Sequence, residues 1–173
     1  MRGVRGGIWL AALALALGAT TACDADLQQD DDHPPQVDVV RAGLVERYAD
    51  GATGAAVRAE GECFADHLLD AVSLEELVGA EVVDDKGQVS PAAPLLTVDV
   101  AGAWFDAFDA CADYATTAAR AITGVDPAAF KTCFDAAVPA DAVRAGVIDT
   151  LTGRSDTDAA RALGEAQATC AAA

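Results

Sequence analysis

Residues 97–122, TVDVAGAWFDAFDACADYATTAARAI, carry the strongest helical signal in the chain. Apolar side chains recur there every three or four residues, a spacing that places them on one face of an α-helix. Thr97 or Asp99 can cap the start of this helix, which we expect to continue to about Ile122. Its predicted inner face is formed by Val100, Trp104, Phe108, Cys111, Ala115 and Ala118.

Similar periodicity predicts helices on both sides of this stretch. The expected ranges are 37–50, about 53–72, 74–78, 127–138, 141–151 and a last helix beyond 156. Two starts are marked by local chemistry. Ser73 and Glu76 match a capping box, in which each side chain bonds the backbone of the other residue. Asp126 followed by Pro127 is an N-cap with proline at the first helical position.

Two other segments are less regular. Ser155 or Asp156 is expected to cap the last helix. Residues 80–96 lack helical spacing, and either a short hairpin over 81–90 or an irregular surface loop fits their glycine and prolines. The predicted fold class is therefore mainly α, a small helical bundle.

The cysteines suggest an internal duplication. A Cys-Phe dipeptide occurs at 63–64 and again at 133–134, and each is followed by a break, a short helix and a helix with the next cysteine. Those next cysteines are Cys111 and Cys170. This order of elements indicates two related helical units.

The duplication also favours one disulfide pattern. Four cysteines allow three pairings, and one bond inside each of the units 37–123 and 124–173 gives Cys63–Cys111 and Cys133–Cys170. On the loop-entropy model each bond would contribute roughly 4 kcal/mol to the stability. That contribution matters here, because 42 of the 173 residues are alanine and large apolar side chains are sparse.

The first 22 residues are typical of an export signal. Arg2 and Arg5 precede the apolar run 8–17 (IWLAALALAL), and small residues follow up to Ala22. An apolar run of this length is too short to span a bilayer, which needs about 20 residues. We therefore predict that residues 1–22 are a signal peptide and that the chain is exported.

At Cys23 the sequence resembles a bacterial lipoprotein signal, in which a cysteine after small residues receives a lipid and becomes the new N-terminus. Thr21 and Ala22 fit this pattern, whereas Thr20 stands where leucine, valine or isoleucine is usual. Lipidation of Cys23 would leave four cysteines that can pair completely. The alternative is ordinary cleavage at the same place, which would give a soluble secreted protein with an odd thiol.

The segment after Cys23 favours the lipoprotein interpretation. Residues 23–36 (CDADLQQDDDHPPQ) are acidic and contain one large apolar residue, so we expect a solvated tether before the helical domain 37–173. A lipid on Cys23 would then anchor the domain to the outer face of the cell membrane.

The whole layout looks like a broad group of alanine- and aspartate-rich actinobacterial lipoproteins that carry repeated Cys-paired helical units. The resemblance covers the signal and the four-cysteine domain. It implies the compartment and the fold, and it implies no activity.

Net charge excludes one class of partner. The formal net charge is −17, and removal of Arg2 and Arg5 with the signal peptide changes it to −19. Nucleic acids require lysine and arginine to neutralise their phosphates, so we expect no nucleic-acid partner. Solubility, or attraction of a cation or a basic partner, are the remaining explanations of the charge.

No catalytic signature is present. Cys63 and His67 have the i, i+4 spacing of metal ligands, but a metal site needs three or four such groups and the cysteines are expected to form disulfides. None of Ser73, Ser90 and Ser155 lies in a nucleophile turn that His67 could serve. The sequence therefore predicts no enzyme, no cofactor and no metal.

Three functions stay open on these grounds. The first is a non-enzymatic, lipid-tethered domain that binds an unknown envelope protein or ligand, and Trp104, Phe105 and Phe108 are its candidate binding residues. The second is a structural or envelope-maintenance protein whose acidity is its main property. The third is a degenerate hydrolase.

Overall fold

The computed structural model describes residues 37–49, 52, 54–91 and 94–172. The predicted signal peptide, Cys23 and the acidic tether lie outside the described residues. The described residues form eight α-helices: α1 Val37–Ala49, α2 Ala55–Ala71, α3 Leu74–Gly79, α4 Val98–Cys111, α5 Tyr114–Ala121, α6 Pro127–Ala137, α7 Ala140–Leu151 and α8 Asp158–Ala171. The prediction of a mainly helical bundle is confirmed.

The helices pack as two groups that meet at α4. Helix α2 lies against α1 and α4, while α7 pairs with α8 and α6 contacts both α5 and α8. Contact between α4 and α7 joins the groups. Within the described part of the chain every buried side chain of the core is apolar, and the largest fully buried ones are Phe64, Phe130, Phe134, Leu44, Leu68 and Leu77.

Both predicted disulfides are present. Cys63 bonds Cys111 and so links α2 to the end of α4, and Cys133 bonds Cys170 and so links α6 to α8. The two Cα–Cα distances are 5.7 and 5.6 Å, which is ordinary disulfide geometry.

The prediction of one helix over 97–122 is wrong at its centre. Helix α4 ends at Cys111, Ala112 is extended (φ −152°, ψ 145°), and α5 begins at Tyr114. The Asp113 carboxylate accepts a hydrogen bond from the Thr116 backbone N–H at 2.7 Å and so caps a new helix. A local cap therefore interrupts an apolar pattern that continues across the break.

Two smaller predictions are corrected or resolved. Thr157, not Ser155 or Asp156, caps α8, since its hydroxyl accepts from the Ala160 N–H at 3.1 Å. Of the two alternatives for 80–96, the loop is closer, because the described residues there form one isolated antiparallel bridge, Val83 with Val89, and no strand.

The predicted capping box and the Asp-Pro start are confirmed. The Ser73 hydroxyl accepts from the Glu76 N–H at 3.2 Å, and the Glu76 carboxylate accepts from the Ser73 N–H at 2.9 Å. The Asp126 carboxylate accepts from the Ala129 N–H at 2.7 Å, with Pro127 at the first helical position. Each cap satisfies backbone donors that a helix start leaves without partners.

Seven aromatic rings form a continuous row that crosses both groups of helices. Neighbouring centroids are 4.9–6.1 Å apart, the range in which aromatic pairs attract. In order along the row they are Trp104, Phe64, Tyr48, Phe108, Tyr114, Phe134 and Phe130. This aromatic row lets a core poor in large aliphatic residues extend from one disulfide to the other.

An ion pair beside the row also joins the two groups. Arg120 of α5 donates two hydrogen bonds to Glu60 of α2, at 2.7 and 2.9 Å, and the Tyr48 hydroxyl donates to the same carboxylate at 3.2 Å. The bonds from Arg120 lower the pKa of Glu60. Burial, followed by the charge of Glu60, raises the pKa of Tyr48 to about 12.

The helices are short relative to a bilayer. The longest in the described part of the chain, α2, has 17 residues. Among the residues that the structure describes, none of the helices has the length and apolar character needed to cross a membrane.

Candidate functional site

An open cleft of about 500 Å³ lies where the end of α4 and the start of α5 face the end of α6 and the start of α7. We call it the acidic cleft. Its inner surface is formed mainly by apolar side chains, namely Phe105, Tyr114, Phe134, Val138 and Val143. Five carboxylates border it: Asp106, Asp109, Asp113, Asp135 and Asp141. Ligand pockets usually combine apolar side chains with a few polar groups, and this cleft has the same two components with more charge.

Helix starts and helix spacing place several of these carboxylates. Asp106 and Asp109 are three residues apart on α4, so they share one face. Asp113 caps α5, and Asp141 lies in the first turn of α7, where the helix dipole favours negative charge. The helix dipoles therefore favour Asp113 and Asp141, whereas they oppose Asp109 and Asp135 in the last turns of α4 and α6.

Two basic side chains neutralise part of the border. Arg144 of α7 donates two hydrogen bonds to Asp106 of α4, at 2.9 and 3.0 Å. Lys131 donates to both Asp113 and Asp135, at 2.7 and 2.8 Å. Burial would raise the pKa of Asp113, but its hydrogen bonds from Lys131 and Thr116 outweigh burial and lower it, so this carboxylate stays ionised.

Two carboxylates of the cleft have no ion-pair partner among the described residues and can therefore bond a ligand. Neither Asp109 nor Asp141 is paired with a basic side chain among the described residues, and both are exposed. With Arg144 as the one basic residue that lines the cleft, its surface is strongly negative. This electrostatic surface favours a cationic ligand.

A second open cavity, of about 520 Å³, lies on the other side of the Arg144–Asp106 ion pair, which borders both cavities. We call it the histidine cavity, because His67 lines it together with Asp99 and Ile148. The Arg144–Asp106 pair is about half exposed on both sides, and exposed pairs of this kind contribute little to stability. A ligand could therefore displace it without a large cost to the fold.

Beside the histidine cavity the structure brings together Cys63, His67 and Cys111. The two sulfur atoms and an imidazole nitrogen of His67 all lie within 4.8 Å of one another. His67 is exposed, and both cysteines are half-buried. The sulfurs are bonded to each other, so as a disulfide they cannot act as thiolate ligands.

The structure separates the three candidate binding residues that the sequence placed in one patch. Trp104 lines a small apolar pocket with Leu96 and Leu151, while Phe105 is 6% exposed and lines the acidic cleft. Phe108 lies inside the aromatic row, between Tyr48 and Tyr114. Of the three, Phe105 is the residue placed at the site described above.

Among the hydrogen bonds of residues 54–91 and 94–172, none connects His67 with a serine. A hydrolase would need such a bond between base and nucleophile, with a third group to orient the base.

The sequence did not predict several residues of the acidic cleft as site residues, above all Asp113, Asp141 and Arg144. The spacing of Asp106, Asp109 and Asp113 was available as a signal, but acidic residues at such intervals are common on solvated helix faces. Arg144 comes from a helix 38 residues away from Asp106 in sequence, and no local pattern links the two.

Comparison with known proteins finds no protein-family model that matches this chain, and no curated protein or solved structure that matches it significantly.

Proposed function

We propose that this chain is a lipid-anchored helical domain at the outer face of the cell membrane, where it binds a basic, amphipathic segment of a partner in the acidic cleft. The anchor is the lipid on Cys23, and residues 24–36 form the acidic spacer. The role is binding, without catalysis. The observation that carries the proposal is the combination of an apolar cleft surface with carboxylates that have no basic partner among the described residues.

The contacts indicate the chemistry of the partner. Apolar side chains of the partner would lie against Phe105 and Val138, and its lysine or arginine side chains would bond Asp109 and Asp141. Complementary charge of this kind accelerates association and selects against acidic partners. The net charge of −19, which remains after removal of Arg2 and Arg5 with the signal peptide, adds a long-range attraction to the same ligands.

The binding experiment uses the full chain in detergent and a synthetic helical peptide of lysine and leucine, with a glutamate–leucine peptide as the control probe. Asp109→Asn combined with Asp141→Asn should weaken binding of the basic peptide by roughly 5- to 30-fold, since each lost ionic contact is worth about 0.5–1 kcal/mol. Fluorescence anisotropy of the labelled peptide measures the affinity.

A matched variant separates the cleft from the general charge. Glu46→Gln combined with Glu165→Gln removes the same two charges from exposed positions that do not line the cleft. This variant should bind the peptide nearly as well as the unmodified chain. Equal loss in both double variants would contradict the proposal and would favour a structural protein whose acidity acts as a whole.

The anchor is tested separately. Intact mass of the membrane-extracted chain should show diacylglycerol on Cys23, and Cys23→Ser should move the chain from the detergent-soluble to the aqueous fraction. An unlipidated chain with a thiol at Cys23 would exclude the anchor while leaving the cleft proposal to be judged by the peptide titration.

A further inference from the structure

We propose that Cys63, Cys111 and His67 form a metal site that is closed by the disulfide and opens on reduction to bind a zinc-like divalent ion. The inference does not depend on the proposed partner. It rests on the position of three potential ligands from two helices, all within 4.8 Å of one another, at the edge of an open cavity.

The ligand set has the chemistry that zinc requires. Thiolate sulfur and imidazole nitrogen bind Zn²⁺ at about 2.3 and 2.0–2.1 Å in tetrahedral geometry, which places ligand atoms roughly 3.5 Å apart. Cys63 and His67 stand on adjacent turns of α2, and Cys111 at the end of α4 has its Cα only 5.7 Å from that of Cys63. Once the sulfur–sulfur bond is broken, side-chain rotation is enough to reach the required spacing.

Access distinguishes this disulfide from the other one. His67 is exposed and lines the histidine cavity, and Cys63 and Cys111 are half-buried. Cys170 is only 3% exposed, and within the described residues no histidine or carboxylate completes a three-ligand group with Cys133 and Cys170. The first disulfide is therefore the less buried of the two, and among the described residues it is the one that has a third ligand beside it.

The electron and proton balance is that of thiol–disulfide exchange. A dithiol reductant transfers two electrons and two protons to the Cys63–Cys111 bond and becomes a disulfide, which leaves two protein thiols. Binding of the divalent ion then releases the two thiol protons, while neutral His67 donates a nitrogen lone pair. Two thiolates balance the charge of the ion, and water completes the tetrahedron.

The ion would replace the cross-link that reduction removes. Cys63 and Cys111 join α2 to α4, and the same helices are held together by the Phe64 and Trp104 rings, whose centroids are 4.9 Å apart. Because this packing is separate from the disulfide, we expect it to hold the two thiols near each other after reduction.

The test uses the full chain in detergent with Cys23→Ser in every sample, so that only four cysteines contribute. The chain is reduced, the reductant is removed without air, and Co²⁺ is added as a zinc substitute. We expect one Co²⁺ per chain with thiolate-to-cobalt absorption, displacement by Zn²⁺, and no absorption in the oxidised chain.

The matched variants are the two histidines of the chain. His67→Ala should weaken Co²⁺ binding at least tenfold. Even the loss of a group that only hydrogen-bonds a metal ligand lowers metal affinity by about 10- to 100-fold. His33→Ala, which removes the other histidine, should leave it unchanged. Equal binding by both variants, or no thiolate absorption in the reduced chain, would overturn the proposal.

Thiol mapping on the otherwise unmodified chain avoids any folding defect of a cysteine variant. After reduction, Zn²⁺ should protect Cys63 and Cys111 from alkylation, whereas Cys133 and Cys170 should be alkylated to the same extent with and without Zn²⁺. Peptide mass measures the alkylation of each cysteine. Protection of Cys133 and Cys170 instead, or of no cysteine, would also overturn the proposal.

Discussion

The two disulfide-linked halves of the domain, residues 37–123 and 124–173, contain the same Cys-Phe dipeptide in different surroundings. In each, a Cys-Phe dipeptide places a half-buried cysteine beside a phenylalanine that is 1% exposed, Phe64 in the first half and Phe134 in the second. Cys111, the partner cysteine of the first half, is half-buried beside His67, whereas Cys170 of the second half is buried. The same dipeptide therefore precedes a disulfide in each half, but the partner cysteine is half-buried in the first half and buried in the second.

The helix crossings of the two halves show a parallel difference. Each crossing contains a buried glycine, Gly61 between α1 and α2 and Gly146 between α7 and α8. A Cβ atom at Gly146 would lie 2.8 Å from the Ala159 carbonyl oxygen, while one at Gly61 would lie 3.2 Å from that of Val45. The α7–α8 crossing thus leaves less room at its glycine than the α1–α2 crossing does.

The largest effects should come from the disulfides. Replacing either pair by alanine should lower the free energy of unfolding by about 4 kcal/mol, because the loops of 48 and 37 residues differ little in closure entropy. Urea unfolding measures both losses. The two loop-closure entropies are nearly equal. If the Cys133→Ala, Cys170→Ala variant loses more unfolding free energy than the other pair, the difference therefore reflects the burial of Cys170. A loss below about 1 kcal/mol for either pair would contradict this account.

Intermediate effects should come from the glycines at the crossings. Gly146→Ala should lower the free energy of unfolding by about 1–3 kcal/mol, because the methyl group would meet a backbone oxygen that cannot move independently. Gly61→Ala should cost less, about 1 kcal/mol or below, since the contact is longer and the neighbouring Tyr48 ring can shift. Thermal unfolding of both variants measures the difference.

Gly164 provides the control for these variants. It lies on α8, and a Cβ there would meet no atom within 4 Å apart from its chain neighbours and the nearby backbone of its own helix. Gly164→Ala should therefore raise stability by about 0.5–1 kcal/mol through helix propensity alone. If Gly146→Ala also raised stability, close packing at the second crossing would not be a constraint.

An effect similar in size to that of Gly61→Ala should come from the ion pair between Glu60 of α2 and Arg120 of α5. Glu60→Gln should cost about 1 kcal/mol at pH 7, through the loss of a charge-assisted bond to Arg120. The pKa of Glu60 is lowered in the folded chain, so its stabilisation is present above the unfolded pKa of about 4.3 and is lost as the pH falls below it. The variant and the unmodified chain should therefore converge in stability at acidic pH.

Urea unfolding at a series of pH values measures this convergence, with Glu46→Gln as a control that removes an exposed carboxylate. The control should differ little from the unmodified chain at any pH. A gap for Glu60→Gln that persists at acidic pH would contradict the assignment of its effect to the charge of the pair.

Local rules predicted much of the fold. The Ser73–Glu76 capping box and the Asp126-Pro127 start depend on residues within one helical turn, and both are present in the structure. The disulfide pairing was also accessible, because the repeated order of elements carries information that a single cysteine spacing lacks. In this chain, capping residues within one helical turn predicted helix starts, and the repeated order of elements predicted the disulfide pairing.

The misses occurred where two local rules competed or where distant segments meet. Apolar spacing continues through Ala112, but the Asp113 cap and its bond from Lys131, 18 residues away, favour a break. The acidic cleft depends on α4 and α7 lying side by side, which brings Arg144 to Asp106. Phe105 was predicted as a binding residue for its apolar character, yet only tertiary packing shows that it alone of the three candidates borders the cleft.

The aromatic row has an optical consequence. Trp104, the one tryptophan among the described residues, stands at one end, and both Tyr48 and Tyr114 lie within the row. Excitation of the tyrosines can transfer to the Trp104 indole and be emitted as tryptophan fluorescence as long as the rings stay close together. Tyr48 belongs to the first half and Tyr114 contacts Phe134 of the second. Because Trp104, Tyr48 and Tyr114 all lie in the first half, this emission reports whether helices α1, α4 and α5 stay packed together.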